Sequence, residues 1–262
     1  MNVPMINNDT ERYLRTARIV IAFWLLGWFL KVGFYPKYLF HEIIAYPVVL
    51  DFFPKCLRSP LSVQFFYILP LLALSVFFRP RLFYFFFSSL CMIVSSVVLL
   101  LHQDTHNDAT FVTSFWVALW LLWFVRRISV KDAMLDVHAR SLALCVVGII
   151  FLGGFIGKST SEYWNGDVLS AIFLQQNFGF TGEWIRAHMS TESIQFCFKW
   201  ISKMIIIGEA FLIFAPFLPY RLVCVIAIPF MLGISLYTTG MIFSVLFCLI
   251  GLLIAGWGLR EE

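Results

Sequence analysis

The sequence predicts an all-α polytopic membrane protein, with about eight transmembrane helices in a single bundle over residues 1–262. Three observations carry that prediction. Hydrophobic residues make up 61% of the chain and charged residues only 13%, whereas soluble domains run near half apolar and about a quarter charged. Mean hydropathy is +0.87. Several apolar runs approach the roughly 20 residues that cross a bilayer as helix. They are continuous rather than alternating, which excludes a transmembrane β-barrel.

In chain order the expected spans are 17–34, 61–78, 82–101, 109–125, 139–156, 198–218, 222–238 and 241–259. The stretch before the first, 1–16, is polar and is expected as a cytoplasmic N-terminal segment. It lacks the apolar core and small-residue site of a cleavable signal peptide. Spans two and three are joined by Arg79-Pro80-Arg81, a connection so short that they form an antiparallel hairpin, with Pro80 stopping the helix. The fourth carries Trp116, Trp120 and Trp123, read as packing or interface residues. The fifth, with Gly148, Gly153 and Gly154, runs on to Gly157; these small residues favour close helix packing. The sixth contains an acid, Glu209, and the last two spans form a second tight hairpin.

Orientation follows the distribution of Lys and Arg. With the N-terminus inside, eleven basic residues fall on the cytoplasmic side and eight on the other, so both termini are expected in the cytoplasm. Segments 35–60, 102–108 and 157–196 then face outward, the last as an extended loop with short interfacial helices. The net charge of +4 is no nucleic-acid signature, because the basic residues sit at the ends of apolar runs. The six cysteines are far apart with no CxxC, so neither a zinc site nor a disulfide framework is expected.

Three places could carry chemistry. His102-x-Asp104-x-His106-x-Asp108 is the densest group of potential ligands. A short connection between spans is polar anyway, so it reads first as a solvated hairpin, then as a polar contribution to a site. A metal needs a third or fourth ligand, and none is expected to bind. Lys158 directly follows the fifth span; it is either an interfacial anchor snorkelling to the headgroups or a partly desolvated lysine acting as a base. Glu209, inside a span, needs a partner. Lys203 is six positions away on the same helix, so Lys31 or a polar group on another helix is the expected one. P-loop, GxSxG, HExxH and Rossmann patterns are absent.

The stretches FLGGFIGKSTSEYWNGD, IIIGEAFLIFAPFLPYR and FMLGISLYTTGMIFSVLFCL resemble the HTTM domain, the membrane domain of vitamin K-dependent γ-carboxylase and its bacterial relatives. The pattern is a span ending in lysine, a W-x-G element, a span with an embedded acid and a Pro–aromatic end, then a closing hairpin. Lys158, Trp164, Gly166, Glu209 and 240–244 fit it in order. The resemblance implies that Lys158 is the base acting on a lipophilic cofactor such as a quinol; an enzyme of that kind would have Glu209 as its electrostatic partner or a structural acid, with His102, His106 and Trp164 in support. It also implies a bacterial cytoplasmic (inner) membrane. Two departures bear on activity: Met231 stands where the family commonly has a histidine, and the carboxylase's large soluble domain is expected to come, if at all, from a separate polypeptide. The expected function is therefore a membrane subunit that anchors, assembles or matures a larger complex with other membrane or secreted proteins. The alternative is a carboxylase-like or quinol-linked enzyme using Lys158.

Overall fold

The computed structural model describes residues 8–34, 60–101, 109–175, 186–237 and 245–259, and all the elements among them are helices. These are α1 (Asn8–Phe34), α2 (Pro60–Ile68), α3 (Ser75–Phe78), α4 (Leu82–Leu100), α5 (Ala109–Ser129) and α6 (Leu135–Lys158). They continue with α7 (Ser161–Asn165), α8 (Asp167–Gln175), α9 (Thr191–Ile213), α10 (Tyr220–Tyr237) and α11 (Val245–Trp257). The all-α class is met.

Among the described residues, four stretches are long and apolar enough to cross a membrane: Asp9–Lys31 in α1, Leu82–Leu100, Phe111–Ser129 in α5, and Leu135–Lys158. Shorter apolar helical stretches cover Gln64–Phe78, Tyr220–Ser235 and Leu246–Trp257. The second expected span is interrupted by a 3₁₀ segment, Leu69–Leu74, with a proline at its start, where the missing N–H disfavours a regular α-helix. The helix of the sixth expected span, α9, starts earlier and ends earlier than 198–218. Ser190 caps its start by accepting from the Ser193 N–H at 3.2 Å. Its end at Ile213 precedes the 3₁₀ turn Ala215–Phe217 that contains Pro216. Helix α1 likewise begins inside the expected polar N-terminal segment, with Asp9 and Arg12 one turn apart at 3.7 Å.

The chain forms two compact units, residues 1–143 with 241–262, and residues 144–240. In the first, α1 packs against α11 and α5, and α4 packs against α5. Its centre is aromatic. Trp24 and Trp28 stack at 4.7 Å, and Phe111 meets Trp28 edge-on at 5.4 Å. Each indole N–H must find an acceptor when buried: Trp24 donates to the Ser114 carbonyl and Trp28 to that of Tyr67. Trp120, expected to pack, is buried and donates to the Ala139 carbonyl at 3.0 Å. Gly251 lets α11 lie directly on α1, since a Cβ there would collide with that of Phe23. Arg12 bridges α1 to α6 through Asp136 at 2.8 Å.

Helix α4 shows how these faces are assigned. Its buried side holds Ser88, Ser89, Ser95 and Ser96 among Phe85, Cys91, Met92, Val98 and Leu99, while Phe83, Phe87, Leu90, Val94 and Val97 point outward. A water-soluble helix would carry polar residues on its outer side. Small hydroxyl residues among the buried ones and large apolar residues outside suit a helix that packs closely on a neighbour and faces hydrocarbon.

In the second unit, α7 and α8 pack on α9, and α10 follows α9 as its neighbour.

Candidate functional site

Lys158 ends α6, and Glu209 lies one turn from the C-terminal end of α9. The fold brings these two together: Lys158 Nζ donates to Glu209 Oε1 at 2.6 Å, with side-chain exposures of 17% and 6%. The partner of the embedded acid is thus Lys158, a polar group on another helix.

Glycines make this contact possible. A Cβ on Gly154 would lie 3.1 Å from Glu209 Oε2, so the carboxylate rests against a bare stretch of α6 backbone. A Cβ on Gly208 would meet the Phe230 ring at 2.6 Å, and one on Gly148 the Ile213 carbonyl at 3.1 Å. Gly148 and Gly154 therefore serve close packing as expected. Gly153 and Gly157 do not, since a Cβ at either meets nothing within 4 Å.

Lys158 against Glu209 and Gly148 against Ile213 set α6 and α9 antiparallel. About 27 Å of α9 then lies on the N-terminal side of Glu209, at 1.5 Å per residue. That part is covered by α7 and α8, the two short helices after Lys158. Thr160 caps α7 by accepting from the Tyr163 N–H, and Gly166 closes α7 at φ +84°. The Gly166 backbone abuts α9: a Cβ there would lie 2.5 Å from Lys199 N and 2.7 Å from the Phe198 carbonyl carbon. The Ser202 hydroxyl donates to the Tyr163 carbonyl, fastening the same turn. The W-x-G element is therefore a tight turn seated on α9. Its tryptophan, Trp164, is 40% exposed on α7 and forms no hydrogen bond or ring contact with the Lys158–Glu209 pair. Met231, in place of the expected histidine, is buried in α10. His102 and His106 lie outside the described residues, as do 238–244.

Tyr163 and Ser202 are the members that sequence reasoning passed over. The signal for Tyr163 was its place between Lys158 and Trp164; Ser202 was a small hydroxyl residue among bulky apolar ones. Burial lifts the Tyr163 phenol above the ordinary tyrosine range, and the nearby Glu209 charge adds to the rise. Because folding holds this proton, the contribution is present below the unfolded tyrosine value of about 10 and is lost as pH climbs through the folded one. Tyr163→Phe is expected to remove that part of the alkaline loss, measured as melting temperature in detergent between about pH 8 and about pH 11.

Chemically, the pair keeps a proton between an amine and a carboxylate. An ammonium acts as a base only after giving up a proton, and Glu209 Oε1 is an acceptor in contact with Lys158 Nζ. Glu209 Oε2 is buried with no hydrogen-bond partner among the described residues, which leaves one acceptor open beside the amine. Among the described residues, no three His, Cys, Asp or Glu side chains converge as a metal site would require.

Comparison with family models, curated proteins and solved structures finds no match to this chain.

Proposed function

We propose that this chain is an HTTM-type integral membrane subunit that anchors, assembles or matures a larger membrane complex. In this reading it crosses a bacterial cytoplasmic membrane about eight times, with both termini inside. The observation that carries it is the Lys158–Glu209 bond. The lysine at the end of α6 is held by a carboxylate at 2.6 Å within a glycine-lined helix contact, so its side chain ties two helices. The outward apolar faces, such as Phe83 and Phe87 on α4, offer surface for lipid and for neighbouring subunits. Purification from native membranes in mild detergent, read by mass spectrometry, is expected to recover stoichiometric protein partners. A monomeric preparation that turns over substrate unaided overturns this reading.

A second reading is a carboxylase-like or quinol-linked enzyme with Lys158 as the base on a lipophilic cofactor. It is favoured by the open acceptor on Glu209 Oε2 beside the amine, where a third group could join the pair. Lys158→Arg separates the two readings, since a guanidinium keeps the ion pair but does not give up its proton. In the subunit reading the complex carrying Lys158→Arg stays assembled and active. Loss of turnover in an intact complex selects the enzyme.

A further inference from the structure

A cleft of about 550 Å³ lies between the start of α8 and the first turns of α9, lined by Asp167, Ser170, Glu192, Gln195, Phe196 and Lys199 among others. Asp167, Glu192 and Lys199 are all exposed. None of the three forms an ion pair among the described residues. One cation and two carboxylates therefore stand around a single opening without neutralising one another.

A metal ion does not suit this arrangement. Lys199 repels it, and no third metal-ligating side chain converges with the two carboxylates among the described residues. A ligand carrying both an anion and a cation does suit it. Phosphate offers Lys199 a charge-assisted acceptor, and a primary ammonium offers N–H donors to the carboxylates. A quaternary ammonium offers none and is held instead by several aromatic faces; Phe196 is the one aromatic residue among those lining the cleft.

The surroundings decide what carries the zwitterion. From Phe196, at the cleft, a stripe of exposed apolar side chains runs along α9 through Trp200, Met204, Ile207 and Phe211, at intervals of one helical turn. Lys203 sits over the Trp200 ring at 5.0 Å, an aromatic–basic pairing typical of a membrane–water boundary. A water-soluble zwitterion fills the cleft and leaves the stripe bare. A lipid covers both.

We infer that this cleft holds the headgroup of a phosphoethanolamine-type phospholipid. Its phosphate lies on Lys199, its ammonium between Asp167 and Glu192, and one acyl chain follows the stripe on α9. This site is separate from the Lys158–Glu209 pair and does not depend on either functional reading.

The test is native mass spectrometry of the full chain, stripped of lipid and then offered defined phosphatidylethanolamine, phosphatidylcholine or phosphatidylglycerol in mixed micelles. Phosphatidylethanolamine is expected to be retained in preference to the other two. Lys199→Gln is expected to weaken that retention about tenfold, as loss of one charge-assisted hydrogen bond does. The double variant Asp167→Asn/Glu192→Gln is expected to abolish the preference over phosphatidylglycerol while leaving lipid bound. Trp200→Ser is expected to weaken lipid retention without changing binding of soluble glycerophosphoethanolamine. All four positions are exposed, and an unchanged melting temperature confirms that each variant is folded. Equal retention of phosphatidylglycerol by the unaltered chain, or no retained lipid at all, overturns the proposal. So does displacement of the lipid by an equal concentration of inorganic phosphate, which marks a free-phosphate site, or a Lys199→Gln variant that binds as before.

Discussion

Lys158→Ala is expected to destabilise the protein by about 3–5 kcal/mol, the range for breaking a buried ion pair by removing one partner. It should cost more than Glu209→Ala. The reason is asymmetry of burial: Glu209 is 6% exposed against 17% for Lys158, and Glu209 already has one oxygen without a partner. Removing the lysine strands that carboxylate entirely. Removing the glutamate leaves an ammonium on a flexible stem at a helix end, which can turn toward polar surroundings; a loss of roughly half as much is expected. Adding Glu209→Gln to Lys158→Ala should recover most of the loss, because an amide needs no counter-charge. Melting temperatures of the single and double variants in one detergent measure this. If the double variant is no more stable than Lys158→Ala, the pair is not what joins α6 to α9.

The second large effect is at Gly166. Placing a side chain at φ +84° costs about 1–2 kcal/mol. The new Cβ also meets the α9 backbone at 2.5 Å, and overpacking of this kind adds about 1–3 kcal/mol. Gly166→Ala should therefore cost about 3 kcal/mol in total, and it should lift α7 and α8 away from α9. Hydrogen exchange at residues 161–175 is expected to accelerate well before the rest of the chain responds. Gly157→Ala is the control: nothing lies near its Cβ, and replacing a helical glycine stabilises by about 0.5–1 kcal/mol. Equal behaviour of the two variants would remove the argument for a seated turn.

The helical class was legible because long apolar runs admit few other structures. Boundaries were less so. The apolar run alone placed the sixth span at 198–218, although the Ser190 cap and Pro216 were present as local signals for a helix over Thr191–Ile213. At the site, the sequence singled out Lys158 and Glu209 separately, each by the cost of a charge next to apolar chain. Their meeting was not legible, because 51 positions separate them and their pairing depends on how α6 and α9 align. The glycines gave a partial signal. Gly154 could be read as a packing residue, but only the structure distinguishes it from Gly153, its neighbour on a different face. Gly166 was visible as part of a motif, and its physical reason emerged only with α9 laid against it.

The apolar outer face of α4 and its four buried serines have a consequence for how this protein can drift in sequence. Where Phe83 and Phe87 point outward, apolar character is what matters, and Leu, Ile or Val serves as well as Phe. Where Ser88, Ser89, Ser95 and Ser96 point inward, the constraint is size. Alanine or glycine is tolerated there, and a conservative-looking exchange to threonine, valine or leucine is not. Scores built on soluble proteins, which expect polar residues on an outer face, would therefore misjudge substitutions at the outward positions and at the four serines, while buried Phe85, Met92 and Leu99 follow the ordinary core rule.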